Sequence, residues 1–147
     1  MKKINLRKLT KKEIQDALSL VLDVFDKYET VHYLKTSKEA FCKAIYSNDY
    51  LNMLTAYGAF DEEKLIGIIA TRNAGSHIAL FFVHGDYQGQ GIGRLLFEEC
   101  LKENINKQIT VNSSEYAVEI YKRLGFEQIG FLKEENGIKY IPMIFKR

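Results

Sequence analysis

The chain has 147 residues, 46% of them hydrophobic and 27% charged, which fits a single globular domain over residues 1–147 that can bury a real core. A formal net charge of +2, with lysines and arginines dispersed among acids, argues against a dedicated nucleic-acid binder. Cys42 and Cys100 form no C-x-x-C pair and have no histidine at metal-ligand spacing, so neither a zinc site nor a disulfide framework is expected. Met1–Thr10 starts basic but lacks the apolar run of a signal peptide, and no stretch approaches the ~20 apolar residues of a membrane span. The expectation is a soluble, cytoplasmic protein without membrane contact.

Ile4–Arg7 reads as a first strand. Glu13–Tyr28 then carries Ile14, Ala17, Leu18, Val21, Leu22, Phe25 and Tyr28 at helical spacing, with Leu20 and Val24 widening the apolar face. That width is compatible with a monomer or a homodimer. A second helical pattern opens at Ser37 and runs through Tyr46. Leu54–Phe60 and Lys64–Arg72 are β-rich runs joined by Asp61-Glu62-Glu63, which suits an antiparallel hairpin. After the turn Asn73–Ser76 comes a strand over His77–Val83. A third helix leaves Gly91 with Ile92, Leu95, Leu96 and Cys100 inward and ends near Asn104. Gln108–Asn112 follows as a strand, Glu115–Leu124 as a helix stopped by Gly125, and Glu127–Leu132 and Ile138–Phe145 as strands. Pro142 removes a ladder donor and implies a bulge or an edge.

The order β-α-α-β-β-β-α-β-α-β-β predicts an α/β (α+β mixed) fold. Consecutive central strands must be antiparallel and helix-linked strands are expected as parallel neighbours, in a mixed, mostly antiparallel sheet of about six or seven strands with about four helices on both faces.

The most informative run is Gln88-Gly89-Gln90-Gly91-Ile92-Gly93-Arg94, set between an apolar strand and a helix. Glycine lets the backbone approach an anion, and the unpaired amides and dipole of a helix start attract one, so a phosphate-bearing ligand is implied. The dinucleotide fingerprint G-x-G-x-x-G fails because Arg94 stands where the third glycine would fall, and no G-K-[ST] follows for a Walker loop. A tight turn that serves only the helix start is the plain alternative.

A second element adds Asn112-Ser113, then Ala117-x-x-x-Tyr121-x-x-x-Gly125-Phe126. With Gln88-x-x-Gly91-x-Gly93, it resembles the GCN5-related N-acetyltransferase (GNAT) family, whose loop reads Gln/Arg-x-x-Gly-x-Gly/Ala. The specific motifs lie between His77 and Phe126; the first two helices fit only loosely. The resemblance implies acetyl-CoA as co-substrate, with no metal. Gln88, Gly89, Gly91, Ile92, Gly93 and Arg94 would hold its pyrophosphate, Phe81, Phe82 and Val83 would pair with pantetheine and polarise the thioester on a bulged strand, and Asn112 belongs to the same cofactor set.

Two residues are implied in catalysis. Tyr121 matches the family tyrosine that protonates the departing thiolate, against the plain reading of a tyrosine packing one helix face. His77, eleven residues before Gln88, falls where histone-type members carry a glutamate base, and a neutral imidazole can serve there; the plain reading is a strand-end histidine with one structural hydrogen bond. The implied reaction is direct transfer of an acetyl group to a primary amine of a small molecule or peptide in a ternary complex. A non-catalytic acyl-CoA-binding module is the rival from another class.

Overall fold

The fold is given by a computed structural model, which describes residues 3–17, 47–135 and 138–147. Among the described residues eight strands form one sheet, in the order β1-β2-β3-β4-β5-β8-β6 with β7 also on β8. They are β1 Ile4–Lys8, β2 Thr55–Asp61, β3 Lys64–Arg72, β4 His77–Val83, β5 Gln108–Ser113, β6 Glu127–Gln128, β7 Lys133–Glu135 and β8 Ile138–Lys146. The described helices are α1 Lys11–Asp16, α2 Asn48–Asn52, α3 Ile92–Glu103 and α4 Val118–Leu124. None among the described residues is long and apolar enough to cross a membrane.

Local chemistry explains the helix starts. Thr10 Oγ1 accepts from Glu13 N at 3.2 Å while Glu13 Oε1 accepts from Thr10 N at 3.0 Å, a reciprocal cap that begins α1 two residues before the expected Glu13. Arg7 pairs with the same carboxylate, and these contacts hold the Glu13 carboxyl down at about 2. The rest of the expected first helix, the second helix from Ser37, and Cys42 lie outside the described residues. The short α2, capped by Ser47, escapes the periodicity because five residues cannot display a period of 3.6.

The sheet separates two apolar layers. Tyr57, Ile66, Ile69 and Ile78 share one with Leu96, Phe97 and Cys100 of α3 and Tyr121 and Leu124 of α4. Ile68, Ala70, Leu80 and Phe82 share the other with Ile14 of α1 and Leu51 of α2. Full burial of an aliphatic side chain stabilises by roughly 1.5–3 kcal/mol, and Ile66, Ile68, Ile69, Leu96 and Ile109 are all fully buried. Leu95, expected inward on α3, is instead 40% exposed, because the helix directs Leu96 and Cys100 into the core and Leu95 to the flank.

Three expectations about strands are corrected. Helix-linked strands are not generally parallel neighbours: β1 pairs β2 antiparallel, and β8 inserts between β5 and β6, leaving β4–β5 as the parallel pair. The strand expected over Glu127–Leu132 pairs only at Glu127 and Gln128, and β7 is an additional short strand. Pro142 sits on an interior strand rather than an edge. A strand residue's N–H and C=O point to the same side, and Pro142 O accepts from Ile129 N at 2.9 Å. The missing donor therefore faces the gap between β6 and β7. Gly130 fits the same break: a Cβ there would lie 2.8 Å from Pro142 Cγ.

Candidate active site

In the β3–β4 ladder Ala70 pairs with Leu80 but Thr71 pairs with Ile78, so Ala79 is an extra residue in β4. This bulge exchanges the faces of the strand. Ile78 lies in the α3/α4 layer, yet beyond the bulge Phe81 and Val83 join that layer while Leu80 and Phe82 face α1 and α2. The bulge also coincides with a parting of strands: β4 meets β5 only at His77↔Thr110 and Ile78↔Val111. Beyond Ile78 the β5-facing edge of β4 has no partner strand among the described residues.

Which backbone groups occupy that edge follows from one bond. His84 N donates to Ile66 O at 2.7 Å, toward β3. Directions alternate along a strand, so the groups of Phe82 also face β3 and those of Phe81 and Val83 face the gap. Val83 O already accepts from Gln88 Nε2 at 3.0 Å.

The gap opens into a cleft of about 350 Å³ between β4, the glycine loop and α4. Phe81, Phe82, Val83, Gln88, Gly89, Gly91, Ile92, Gly93 and Arg94 all line it, as does Tyr121. Tyr121 is 7% exposed and meets Phe81 edge-on at 5.9 Å and Phe126 at 5.3 Å, which fixes the ring at the floor. At the mouth Gly89 and Gly91 take φ of +78° and +80°, and a Cβ on either would meet nothing within 4 Å. These glycines serve backbone conformation and access rather than packing.

Gly91 caps α3 without a side-chain bond, and the first intrahelical bond is Leu95 N to Gly91 O at 3.1 Å. The N–H groups of Ile92, Gly93 and Arg94 thus precede any intrahelical acceptor and form, with the dipole, an anion cradle. Arg94 Nη2 donates to Arg123 O at 2.6 Å, tying the start of α3 to the end of α4 and leaving two cations on the cleft wall.

The loop is anchored from behind. Tyr87 is 7% exposed and donates to Asp61 Oδ2 at 2.7 Å, with Lys64 Nζ 5.7 Å from its ring centre; the carboxylate raises the phenol's pKa. His84 Nδ1 accepts from Asp86 N at 3.2 Å, so His84 is a loop cap rather than a solvent-side residue.

Two expected site residues stand elsewhere. Asn112 is exposed on β5 opposite Pro142 and does not line the cleft. His77 also lies outside the lining, at the opposite end of β4, four residues and roughly 13 Å of strand from Phe81. His77 Nδ1 lies 2.8 Å from Thr110 Oγ1, which in turn lies 3.3 Å from Ser76 O, so imidazole, hydroxyl and carbonyl form one hydrogen-bonded chain. Burial and the nearby Arg72 cation push the His77 pKa below its ordinary value.

The sequence reading missed Tyr87, Tyr116, Ile120 and Arg123 as lining residues. Tyr116, Ile120 and Arg123 carried a signal: they follow one another at spacings of four and three, which puts them along one helix face. Tyr87 carried none, because its place depends on Asp61 across the sheet.

A family profile described as an acetyltransferase (GNAT) domain matches residues 10–147. A curated relative, the peptidyl-lysine N-acetyltransferase YjaB of Salmonella typhimurium, is 30% identical over 90 residues, 57% of each chain, so the match spans little over half of that relative. Among solved structures, a GCN5-related N-acetyltransferase from Rhodopseudomonas palustris matches with a TM-score of 0.83 at 18% identity over 100% of this chain and 98% of its own. The PaiA N-acetyltransferase of Thermoplasma acidophilum, in complex with coenzyme A, matches with a TM-score of 0.80 at 19% identity over 99% of both chains.

Proposed function

The chain belongs to the GNAT acetyltransferase family, and from that premise we propose that it moves an acetyl group from acetyl-CoA to a primary amine of a small molecule or peptide, directly, in a ternary complex. The observation that carries this reading is the cradle: two left-handed glycines open onto unpartnered helix amides at the mouth of a cleft floored by Phe81 and Tyr121. Its shape and donors suit a pyrophosphate followed by a narrow apolar arm. The Thermoplasma neighbour binds coenzyme A and the Salmonella relative acts on peptidyl lysine, which supports the co-substrate and the amine acceptor.

Acetyl-CoA supplies an activated thioester. Gln88, Gly89 and Gly91 and the amides of Ile92, Gly93 and Arg94 hold the pyrophosphate, with Arg94 and Arg123 adding charge. The gap-facing backbone of Phe81 and Val83 binds the pantetheine arm as an added strand, and an amide at this turn of β4 polarises the carbonyl. Tyr121 gives its proton to the departing thiolate. A covalent route through Cys100 is disfavoured, because that thiol is 3% exposed in the core and burial pushes its pKa up.

The amine arrives protonated and must lose a proton. His77 is assigned as the base from its family position, and because it stands outside the cleft, roughly 13 Å of strand from Phe81, it takes the proton through intervening water rather than by direct contact. Its depressed pKa keeps the ring neutral at pH 7, and its contribution is lost as pH falls through the folded-state value. His77→Ala should remove that acidic limb from the pH–rate profile; an unchanged profile would withdraw the assignment.

The deciding experiment is calorimetric titration with acetyl-CoA, with ADP as control, followed by acceptor-dependent thiol release. Binding that depends on the pantetheine arm is expected. A folded sample that does not bind acetyl-CoA would overturn the reading.

A further inference from the structure

On the face of the sheet away from the cofactor cleft, Arg72 stands out among the described residues. Arg72 ends β3, and its Nε is buried with no hydrogen-bond partner. Among the described residues no carboxylate pairs with its guanidinium. The residue as a whole is half-buried, and a buried donor left unmatched is costly unless something completes it.

Its position follows from the ladder. Ile68, Ala70 and Arg72 alternate along β3, so Arg72 shares the face that packs on α1 and α2. Arg72 pairs directly with His77, and His77 pairs with Thr110 in the short parallel contact that ends one residue later at Ile78↔Val111. Directly paired residues share a face, so Arg72, His77 and Thr110 form a row at the edge of the gap. Tyr50 of α2 packs against this layer, close enough for the Arg72 cation to act on its phenol. The row therefore places a guanidinium, an imidazole and a hydroxyl side by side on one face, just before β4 and β5 part.

We propose that Arg72 is the recognition point for a carboxylate on the acceptor, so that the substrates are amino acids or short peptides with a free carboxylate rather than polyamines or aminoglycosides. This rests on the acetyl-transfer reading above. Guanidinium and carboxylate match as planar, bidentate partners, and such a pair supplies both the missing partner and a fixed orientation. With the carboxylate held at Arg72, the amine reaches past His77 toward Phe81. That span is at most roughly 13 Å of strand, less the reach of the arginine side chain, which favours an amine several bonds away from the carboxylate.

The test compares product analogues in acid and carboxamide pairs, N-acetylglycine, 4-acetamidobutyrate and Nε-acetyllysine, titrated into the coenzyme A-loaded protein. At least one acid should bind tenfold or more tighter than its amide, with the longer members favoured. Arg72→Gln should abolish that preference while the affinity for acetyl-CoA is kept, and Arg72→Lys should retain part of it. No acid preference in any wild-type pair, or a preference that survives in Arg72→Gln, overturns the proposal; the wild-type comparison decides even if the glutamine variant fails to fold. An acid preference without amine-dependent thiol release would sink the transfer reading and leave the carboxylate site standing.

Discussion

At the N-terminus of α3, Gly91 provides no side-chain cap, and Ile92, Gly93 and Arg94 line an open cleft with their amides uncommitted. At its C-terminus, twelve residues on, the groups are tied down: Asn104 N and Arg147 Nη1 both donate to Leu101 O at 3.3 Å. Asn104 Nδ2 donates to Gly75 O at 2.8 Å, Asn104 Oδ1 accepts from Asn106 N at 2.9 Å, and Tyr57 donates to Glu103 Oε2 at 3.2 Å. A polar cavity of about 250 Å³ lies at this end too, lined by Tyr57, Thr71 and Glu103. One helix thus has a terminus left for an external partner and a terminus completed by the protein itself. Unmet backbone donors beside an opening, rather than an opening alone, distinguish a binding site from a packing irregularity.

The largest effect should come from removing the proposed proton donor of the cleft. Tyr121→Phe is expected to lower kcat by ~10²–10⁴ with acetyl-CoA affinity nearly intact, read by steady-state kinetics beside calorimetry. Equal losses in kcat and in affinity would make the tyrosine a packing residue.

Gly91→Val forces a branched side chain into a left-handed conformation, at roughly 1–2 kcal/mol, and should weaken acetyl-CoA binding on the order of tenfold while the circular-dichroism spectrum is preserved. Unaltered affinity would mean that the cradle is not the anion site.

The smallest functional effect belongs to the closed end. Asn104→Ala removes the tie to the Gly75 turn, at about 1–2 kcal/mol for the unmatched groups, and should lower Tm by a few degrees with kcat/KM unchanged. A fall in kcat/KM would erase the contrast between the termini.

Much of this was legible in the chain. Strand and helix order and the glycine loop follow from local rules, glycine at positive φ and apolar periods of two and 3.6, whereas Tyr121 was marked by the family resemblance. The illegible parts depend on partners distant in sequence. The extra residue Ala79 is defined only by its register against β3. β6 stops where Pro142 and Gly130 meet across the sheet, and Asn112 faces Pro142 rather than the cleft.

The sequence by itself determined that this chain would present a glycine-rich helix start after an apolar strand, because those features are encoded in neighbouring residues. Tertiary structure decided that β8 lies between β5 and β6, that β4 parts from β5 after Ile78, and that Arg72, His77 and Thr110 stand in one row. Register between strands is set by packing of whole faces and by loop closure across tens of residues, and no local pattern carries that information.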